Sequence, residues 1–231
     1  MRNGTSNHHR DEAARHERDV VELRDTPVPD DNQFLALGVS RPIVEVLWQR
    51  HIDAPFPIQE ATLPDAIGGR DILGRGQTGS GKTLAFGLPT LTRIAAGKPA
   101  QAHRPSALIM VPTRELAMQV CDALKPLAKA VGRSICLVAG GLSYTPQIKA
   151  LEGGVDLLVA TPGRLQDLME RRAVELEDVQ VLVLDEADHM AEMGFMEDIE
   201  AVMATIPDTA QKLLFSATLD HGVQGVVERK P

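Results

Sequence analysis

Residues 76–83 read Gly76-Gln77-Thr78-Gly79-Ser80-Gly81-Lys82-Thr83, a match to the pattern Gly-x4-Gly-Lys-Ser/Thr. No other stretch of the chain constrains the fold as tightly. The pattern works only as a loop that leaves a β-strand and opens an α-helix. Gly79 and Gly81 let the backbone curl with its N–H groups pointing inward, and the helix starting near Lys82 adds the positive end of its dipole. The apolar segment at 71–73 supplies the strand, and the amphipathic stretch 84–95 supplies the helix. In that setting Gln77, Thr78, Gly79, Ser80 and Gly81 cradle a phosphate chain. Lys82 reaches the β and γ phosphates, and the Thr83 hydroxyl ligates Mg2+. A Gly-rich turn without a ligand is the competing reading. The flanking strand and helix, and an acidic partner downstream, favour the cradle.

That partner is Asp185-Glu186-Ala187-Asp188, which follows the apolar run Val181-Leu182-Val183-Leu184. An acid at the end of a buried strand offers hard oxygen ligands to Mg2+. Asp185 is expected to hold the ion, partly through water, and Glu186 to orient the attacking water, so Lys82, Asp185 and Glu186 are the candidate catalytic residues. A solvated acidic turn would look the same in isolation; the cradle decides between the two.

Around these motifs the chain alternates apolar runs with amphipathic stretches. Strands are predicted over 71–73, 107–111, 134–138, 156–160, 179–184 and 212–216. Helices are predicted from a cap at Ser40 through Gln49, and over 58–67, 84–95, 114–130, 146–151, 164–170 and 197–204. Several strand runs are apolar at successive positions, which suits strands covered on both faces. The expectation is therefore a doubly wound α/β domain, a mostly parallel sheet with helices on both faces. Residues 1–33 are charged, poor in apolar side chains and closed by Thr26-Pro27-Val28-Pro29; they read as a flexible tail, in which His8-His9 are not expected to bind metal. Cys121 and Cys136 lack ligand spacing and read as reduced, largely buried thiols. No apolar run spans a bilayer and no signal region opens the chain, so a cytoplasmic protein without a membrane partner is expected. With a net charge of −8, the chain cannot hold a polyanion by a basic surface; placed arginines and backbone N–H groups would have to do it.

Asp185-Glu186-Ala187-Asp188 resembles the motif that names the DEAD-box RNA helicases, and the surrounding residues agree in order. Phe34 and Pro55-Phe56-Pro57-Ile58-Gln59 resemble that family's Q motif with its upstream aromatic, and Gln77 to Thr83 its motif I. Pro112-Thr113-Arg114-Glu115-Leu116 resembles motif Ia, Gly140-Gly141 the GG element, Thr161-Pro162-Gly163-Arg164 motif Ib, and Ser216-Ala217-Thr218 motif III. The resemblance implies a RecA-like P-loop NTPase domain over 34–231, with ATP and Mg2+ as cofactors and single-stranded or structured RNA as partner. It implies that Gln59 bonds the adenine edge while Phe34 packs against the base. Pro112, Thr113, Arg114, Gly140, Gly141, Thr161, Pro162, Gly163 and Arg164 would hold the RNA backbone. Asp188, Ser216 and Thr218 would couple the two sites, or the two hydroxyls could simply cap a strand end.

Departures from the pattern fall in the base pocket. His51 and Ile52 stand where the family has Gly and an aromatic, and Phe56 where it has Thr or Ser. Gly76 replaces the more usual Ala. The motifs of a second RecA-like domain, with its arginine fingers, do not follow Thr218 before the sequence ends at Pro231. The resemblance thus implies an N-terminal domain, monomeric by default, that binds ATP and RNA but hydrolyses ATP weakly. The alternative is a stand-alone nucleotide- or RNA-binding module. The ordered motifs disfavour a DNA helicase or a transporter ATPase.

Overall fold

The computed structural model describes residues 22–218. Helices α1 (Gln33–Ala36), α2 (Arg41–Gln49) and α3 (Pro57–Ile67) precede β1 (Ile72–Arg75). There follow α4 (Lys82–Ala95), β2 (Ala107–Met110), α5 (Arg114–Ala130), β3 (Ile135–Val138), α6 (Tyr144–Glu152), β4 (Leu157–Ala160), α7 (Pro162–Glu170), β5 (Val181–Leu184), α8 (Ala187–Glu192), α9 (Met196–Met203) and β6 (Gln211–Ser216). The strands form one sheet in the order β1-β6-β5-β2-β4-β3, with every neighbouring pair parallel.

Side chains alternate between the two faces, as the pleat requires. Ile109, Val159, Val183 and Phe215 meet Leu47, Leu63, Leu88 and Leu124 of α2, α3, α4 and α5. Leu108, Leu158, Leu182 and Leu214 meet Leu151, Leu165, Met190 and Val202 of α6, α7, α8 and α9. With both faces covered, β2, β4 and β5 are buried at every residue, which is why their sequences are apolar without a polar alternate. The division of helices follows from crossover handedness. From β1 through β2 to β3 the chain steps across the sheet one way, and from β3 through β4 and β5 to β6 it steps back. Right-handed crossovers then put the connecting helices first on one face and afterwards on the other.

Two short helices were not predicted. In α1 a single turn is held by Asn32, whose Oδ1 accepts the Phe34 N–H at 2.9 Å, while the Phe34 ring is sealed in the core. The tail expected through residue 33 is also shorter in its described part. The Arg24 backbone N–H donates to Gln49 O, and its guanidinium pairs with Asp53 at 2.6 Å and lies 3.8 Å over the Trp48 ring; Trp48 Nε1 donates to Thr26 O at 3.0 Å. Residues 1–21, with His8-His9, lie outside the described residues. Ser40 stands at the N-cap of α2 as predicted, yet its hydroxyl makes no capping bond. Cys121 and Cys136 are half-buried free thiols on opposite faces of the sheet, and burial pushes the Cys121 thiol up to about 12.

β1 passes the end of the sheet with no room to spare: a Cβ on Gly74 would fall 2.4 Å from Phe215 Cε1. Phe215 itself is pinned against Phe86, ring centroids 5.7 Å apart. Gly74→Ala is therefore expected to destabilise the domain by about 1–3 kcal/mol through overpacking, measured by urea or thermal unfolding.

Candidate nucleotide site and the adjoining sheet edge

All strand ends that carry the predicted motifs lie on one edge of the sheet. The loop 76–81 leaves β1 and Asp185-Glu186 leave β5, with β6 between them. Lys82 bridges the gap. Its Nζ lies 2.7 Å from Glu186 Oε1 and 3.3 Å from Asp185 Oδ1, and all three side chains are largely withdrawn from water. Both carboxylates can face Lys82 because Glu186 adopts a left-handed backbone, φ 55° and ψ 45°, as it enters α8. A non-glycine residue there costs about 1–3 kcal/mol and is tolerated where the surroundings enforce it. Here the Glu186 N–H is tied to Asp185 Oδ1 at 2.9 Å.

Burial pushes the Asp185 carboxyl above the usual carboxylate range, with the Glu186 charge adding to it, against the pull of Lys82. Burial works to lower the Lys82 ammonium as well, but the Asp185 and Glu186 charges outweigh it and hold the ammonium above its ordinary value. The corner thus demands positive charge. Asp185 and the Thr83 hydroxyl offer the hard oxygens that suit Mg2+. Among the described residues no cluster of three or more His, Cys, Asp or Glu side chains could hold a metal. This donor set fits an ion that keeps several waters and shares its remaining ligands with phosphate.

The loop itself is shaped by its glycines. Gly79 and Gly81 have φ values of +82° and +88°. A Cβ at Gly81 would fall 2.6 Å from Phe56 Cδ2 and 2.7 Å from Gln59 Nε2; one at Gly76 would fall 2.7 Å from Ile58 Cδ1 and 2.8 Å from Ser80 Oγ. The missing side chains let α3 close onto the loop. Gln59 locks that contact: its Oε1 accepts the Phe56 N–H and its Nε2 donates to Gly81 O, both at 2.9 Å.

A cavity of about 420 Å³ opens above these groups. One end is walled by Thr78, Gly79, Gly81, Lys82, Thr83 and the two acids, and the other by Ile52, Ala54, Phe56 and Gln59. The wall between them comes from α5, through Leu116, Gln119 and Val120. Gln119 and Val120 escaped the sequence reading, although they share a helix face with Leu116 at the i+3 and i+4 positions. Phe34, expected against the base, is fully buried and does not line the cavity; Ile52 and Phe56, the departures from the motif, do. Gln77 is exposed away from the wall, and Ser80 borders a neighbouring groove.

Asp188, Ser216 and Thr218 come together as predicted. Asp188 Oδ2 accepts from the Thr218 N–H and the Thr218 hydroxyl, each at 3.1 Å, and the Asp188 N–H donates to Ser216 Oγ at 3.3 Å. This ties the start of α8 to the end of β6.

The remaining motif residues occupy the other half of the edge, after β2, β3 and β4. Thr113 caps α5, accepting the Leu116 N–H at 3.3 Å, next to a buried Pro112. Arg114 is exposed, and its guanidinium covers Gly141, where a Cβ would fall 2.8 Å from Arg114 Nη1. Gly140, Gly141 and Gly163 are open to solvent, while Thr161 and Pro162 begin α7. Arg164 is placed differently from the expectation. It is buried, stacks 3.8 Å over the Tyr144 ring, and donates to Leu142 O at 2.9 Å and Gln147 Oε1 at 3.2 Å. Its charge is spent bracing the loop that follows Gly141, because Tyr144 and Gln147 of α6 enclose it.

The Asp188 carboxyl makes a pH prediction. Burial opposes its ionisation, but the hydrogen bonds from Ser216, Thr218 and the His189 N–H prevail and hold it below the usual carboxylate range. A depressed folded value means stability that is present above the unfolded value, about 3.9, and is lost as pH falls through the folded one. The stability difference between the parent and Asp188→Asn is expected to be largest at neutral pH and to shrink below about pH 4, measured by thermal unfolding across a pH series.

Residues 56–226 match the family model described as DEAD/DEAH box helicase. Over 194 residues the chain is 47% identical to the DEAD-box ATP-dependent RNA helicase CshA of Streptococcus pneumoniae, covering 84% of this chain and 36% of that protein. It is 42% identical over 200 residues to the ATP-dependent RNA helicase DeaD of Escherichia coli (strain K12), covering 86% of this chain and 31% of that one. The solved structure of the RNA-helicase Prp28 from Chaetomium thermophilum bound to ADP matches with a TM-score of 0.79 at 34% identity, over 89% of this chain and 50% of that chain. The chain spans about a third of the length of the curated relatives it matches. Its sheet is that of a RecA-like domain, its sequence motifs stand on that sheet's C-terminal edge in the matched region, and the chain belongs to the DEAD/DEAH box helicase family.

Proposed function

We propose that this chain is the ATP-binding, RNA-contacting domain of an ATP-dependent RNA helicase. The observation that carries the reading is the Lys82 ammonium held between Asp185 and Glu186 at the mouth of a glycine-shaped loop. Three groups that handle phosphate, metal and water in phosphoryl transfer stand within bonding reach of one another. Lys82 would leave its carboxylate partners to donate to the terminal phosphates. The N–H groups of 77–81 and the N-terminus of α4 hold the phosphate chain. Thr83 and Asp185 would hold Mg2+, which when bound neutralises charge developing on the phosphate oxygens. Glu186 is left to orient and polarise a water.

Adenine selection follows from what Gln59 has left to give. With Oε1 accepting once and Nε2 donating once inside the protein, one acceptor site and one N–H remain. Those match the donor and acceptor that adenine presents at N6 and N7; guanine presents two acceptors on that edge.

RNA would lie across the ends of β2, β4 and β3. Arg114, Thr113 and Thr161, with the backbone N–H groups of Gly140, Gly141 and Gly163, contact its phosphates; the buried Pro112 and Pro162, which have no N–H to donate, fix the turns that present them, and Arg164 holds the loop in place. Such contacts position a strand without reading its bases, and they suit a chain of net charge −8. Asp188, Ser216 and Thr218 would pass the state of the nucleotide corner along the edge. Among the described residues, no arginine lines the nucleotide cavity. An arginine supplied by a second RecA-like domain would contribute roughly 10³–10⁵ in rate. The chain by itself is therefore expected to bind ATP, as a monomer, and to turn it over slowly. No helix among the described residues is long and apolar enough to cross a membrane, and the proposed workplace is the cytoplasm.

Calorimetry tests the nucleotide site: Lys82→Ala should lose ATP binding, whereas Glu186→Gln should keep it while losing residual hydrolysis. Undiminished binding by Lys82→Ala would refute the site. For RNA, Arg114→Ala should weaken binding to single strands of unrelated sequence alike. Arg164→Ala should do the same and also lower the melting temperature, because it empties a buried hydrogen-bonded position.

A further inference from the structure

Phe56 is a large apolar side chain left 52% exposed at the rim of the nucleotide cavity. An exposed ring is unremarkable by itself; this one is held in place and aimed. Its peptide sits between Pro55 and Pro57 in an extended conformation, φ −75° and ψ 160°, and its N–H is bonded to Gln59 Oε1 at 2.9 Å. The ring edge rests on the backbone of Gly81, beside the Gln59 amide, at the spot where a Cβ would meet both. No other aromatic ring lines this cavity among the described residues: Phe34 is sealed in the core, and Ile52 offers only an aliphatic surface.

We infer that Phe56 is the stacking wall of the base site, its ring taking one face of the nucleobase whose edge Gln59 reads. The inference rests on the nucleotide-binding reading above and adds a division of labour to it. Stacking on an aromatic ring is blind to base identity, since every base has a π face. Affinity for the base therefore comes from Phe56 and choice of base from Gln59. A phosphate chain without a base should not sense the ring at all.

Calorimetric titration of ADP, GDP and inorganic tripolyphosphate into the parent, Phe56→Leu, Phe56→Tyr and Lys82→Ala separates these statements. Phe56→Leu keeps apolar bulk without a π face. It is expected to bind ADP and GDP each about tenfold or more weakly, the scale of one base–aromatic stack, and tripolyphosphate as the parent does. Phe56→Tyr should bind ADP as the parent does. Unchanged ADP binding in Phe56→Leu would overturn the inference and leave the ring to the neighbouring groove, which it shares with the exposed Leu73. An equal loss for tripolyphosphate would overturn it too, showing that the ring merely props the loop at Gly81. If Lys82→Ala bound tripolyphosphate as tightly as the parent, the nucleotide site itself would be refuted, whatever Phe56 does.

Discussion

Strands that all run the same way deliver all their C-terminal loops to one edge of the sheet, and everything distinctive about this chain is built on that edge. Along the sequence the motifs interleave: 76–83, 112–116, 140–141, 161–164, 185–188 and 216–218. Across the sheet they sort. The loops after β1, β6 and β5 hold the phosphate-type residues together, and those after β2, β4 and β3 hold the rest. The border runs between β5 and β2, where the Asp185 N–H donates to Met110 O at 3.0 Å. Although β6 lies between the strand that feeds the loop at 76–81 and the strand that ends at Asp185, the long Lys82 side chain joins them. The same position lets Ser216 and Thr218 reach Asp188.

Within Asp185-Glu186-Ala187-Asp188 the two aspartates are treated in opposite ways. Asp185 is buried beside a second carboxylate, which raises its pKa and makes its ionised form dependent on a cation. Asp188 is surrounded by N–H and hydroxyl donors, which lowers its pKa and makes it a fixed anchor. The left-handed Glu186 separates them, turning the chain from β5 into α8 so that one acid faces Lys82 and the other faces β6. One short segment thereby supplies a carboxylate that leans on the Lys82 ammonium and a carboxylate held by neutral hydrogen-bond donors.

The other half of the edge treats its two motif arginines in opposite ways. Arg114 lies over Gly141, and Arg164 is folded inward onto Tyr144. One arginine is offered and the other is structural. The other motif residues there present chiefly backbone and hydroxyl groups, set at helix starts and glycine turns.

Much of this was legible in the chain. The strands were readable from runs such as Ala107-Leu108-Ile109-Met110, because residues buried on both faces have no polar alternate. The loop at 76–83 and the acids at 185–186 were readable because their chemistry tolerates few spellings. The elements that escaped were short or depended on distant partners. α8 is one turn and a half behind a strained Glu186, too brief for a helical period to show. Arg24 is tail by local composition, and its anchorage to Trp48 and Asp53 depends on residues more than twenty positions away. Phe34 and Phe56 are both aromatic neighbours of a base motif by sequence, and only packing put the first in the core and the second at the cavity rim. The sequence by itself determined most of the element types, the parallel sheet and the candidate residues for phosphate and metal, since those depend on local pattern and side-chain chemistry. Which side chains face the cavity, which are consumed as braces and how the motifs sort across the edge were decided by the tertiary structure, because burial and strand order are set by contacts between residues far apart in the chain.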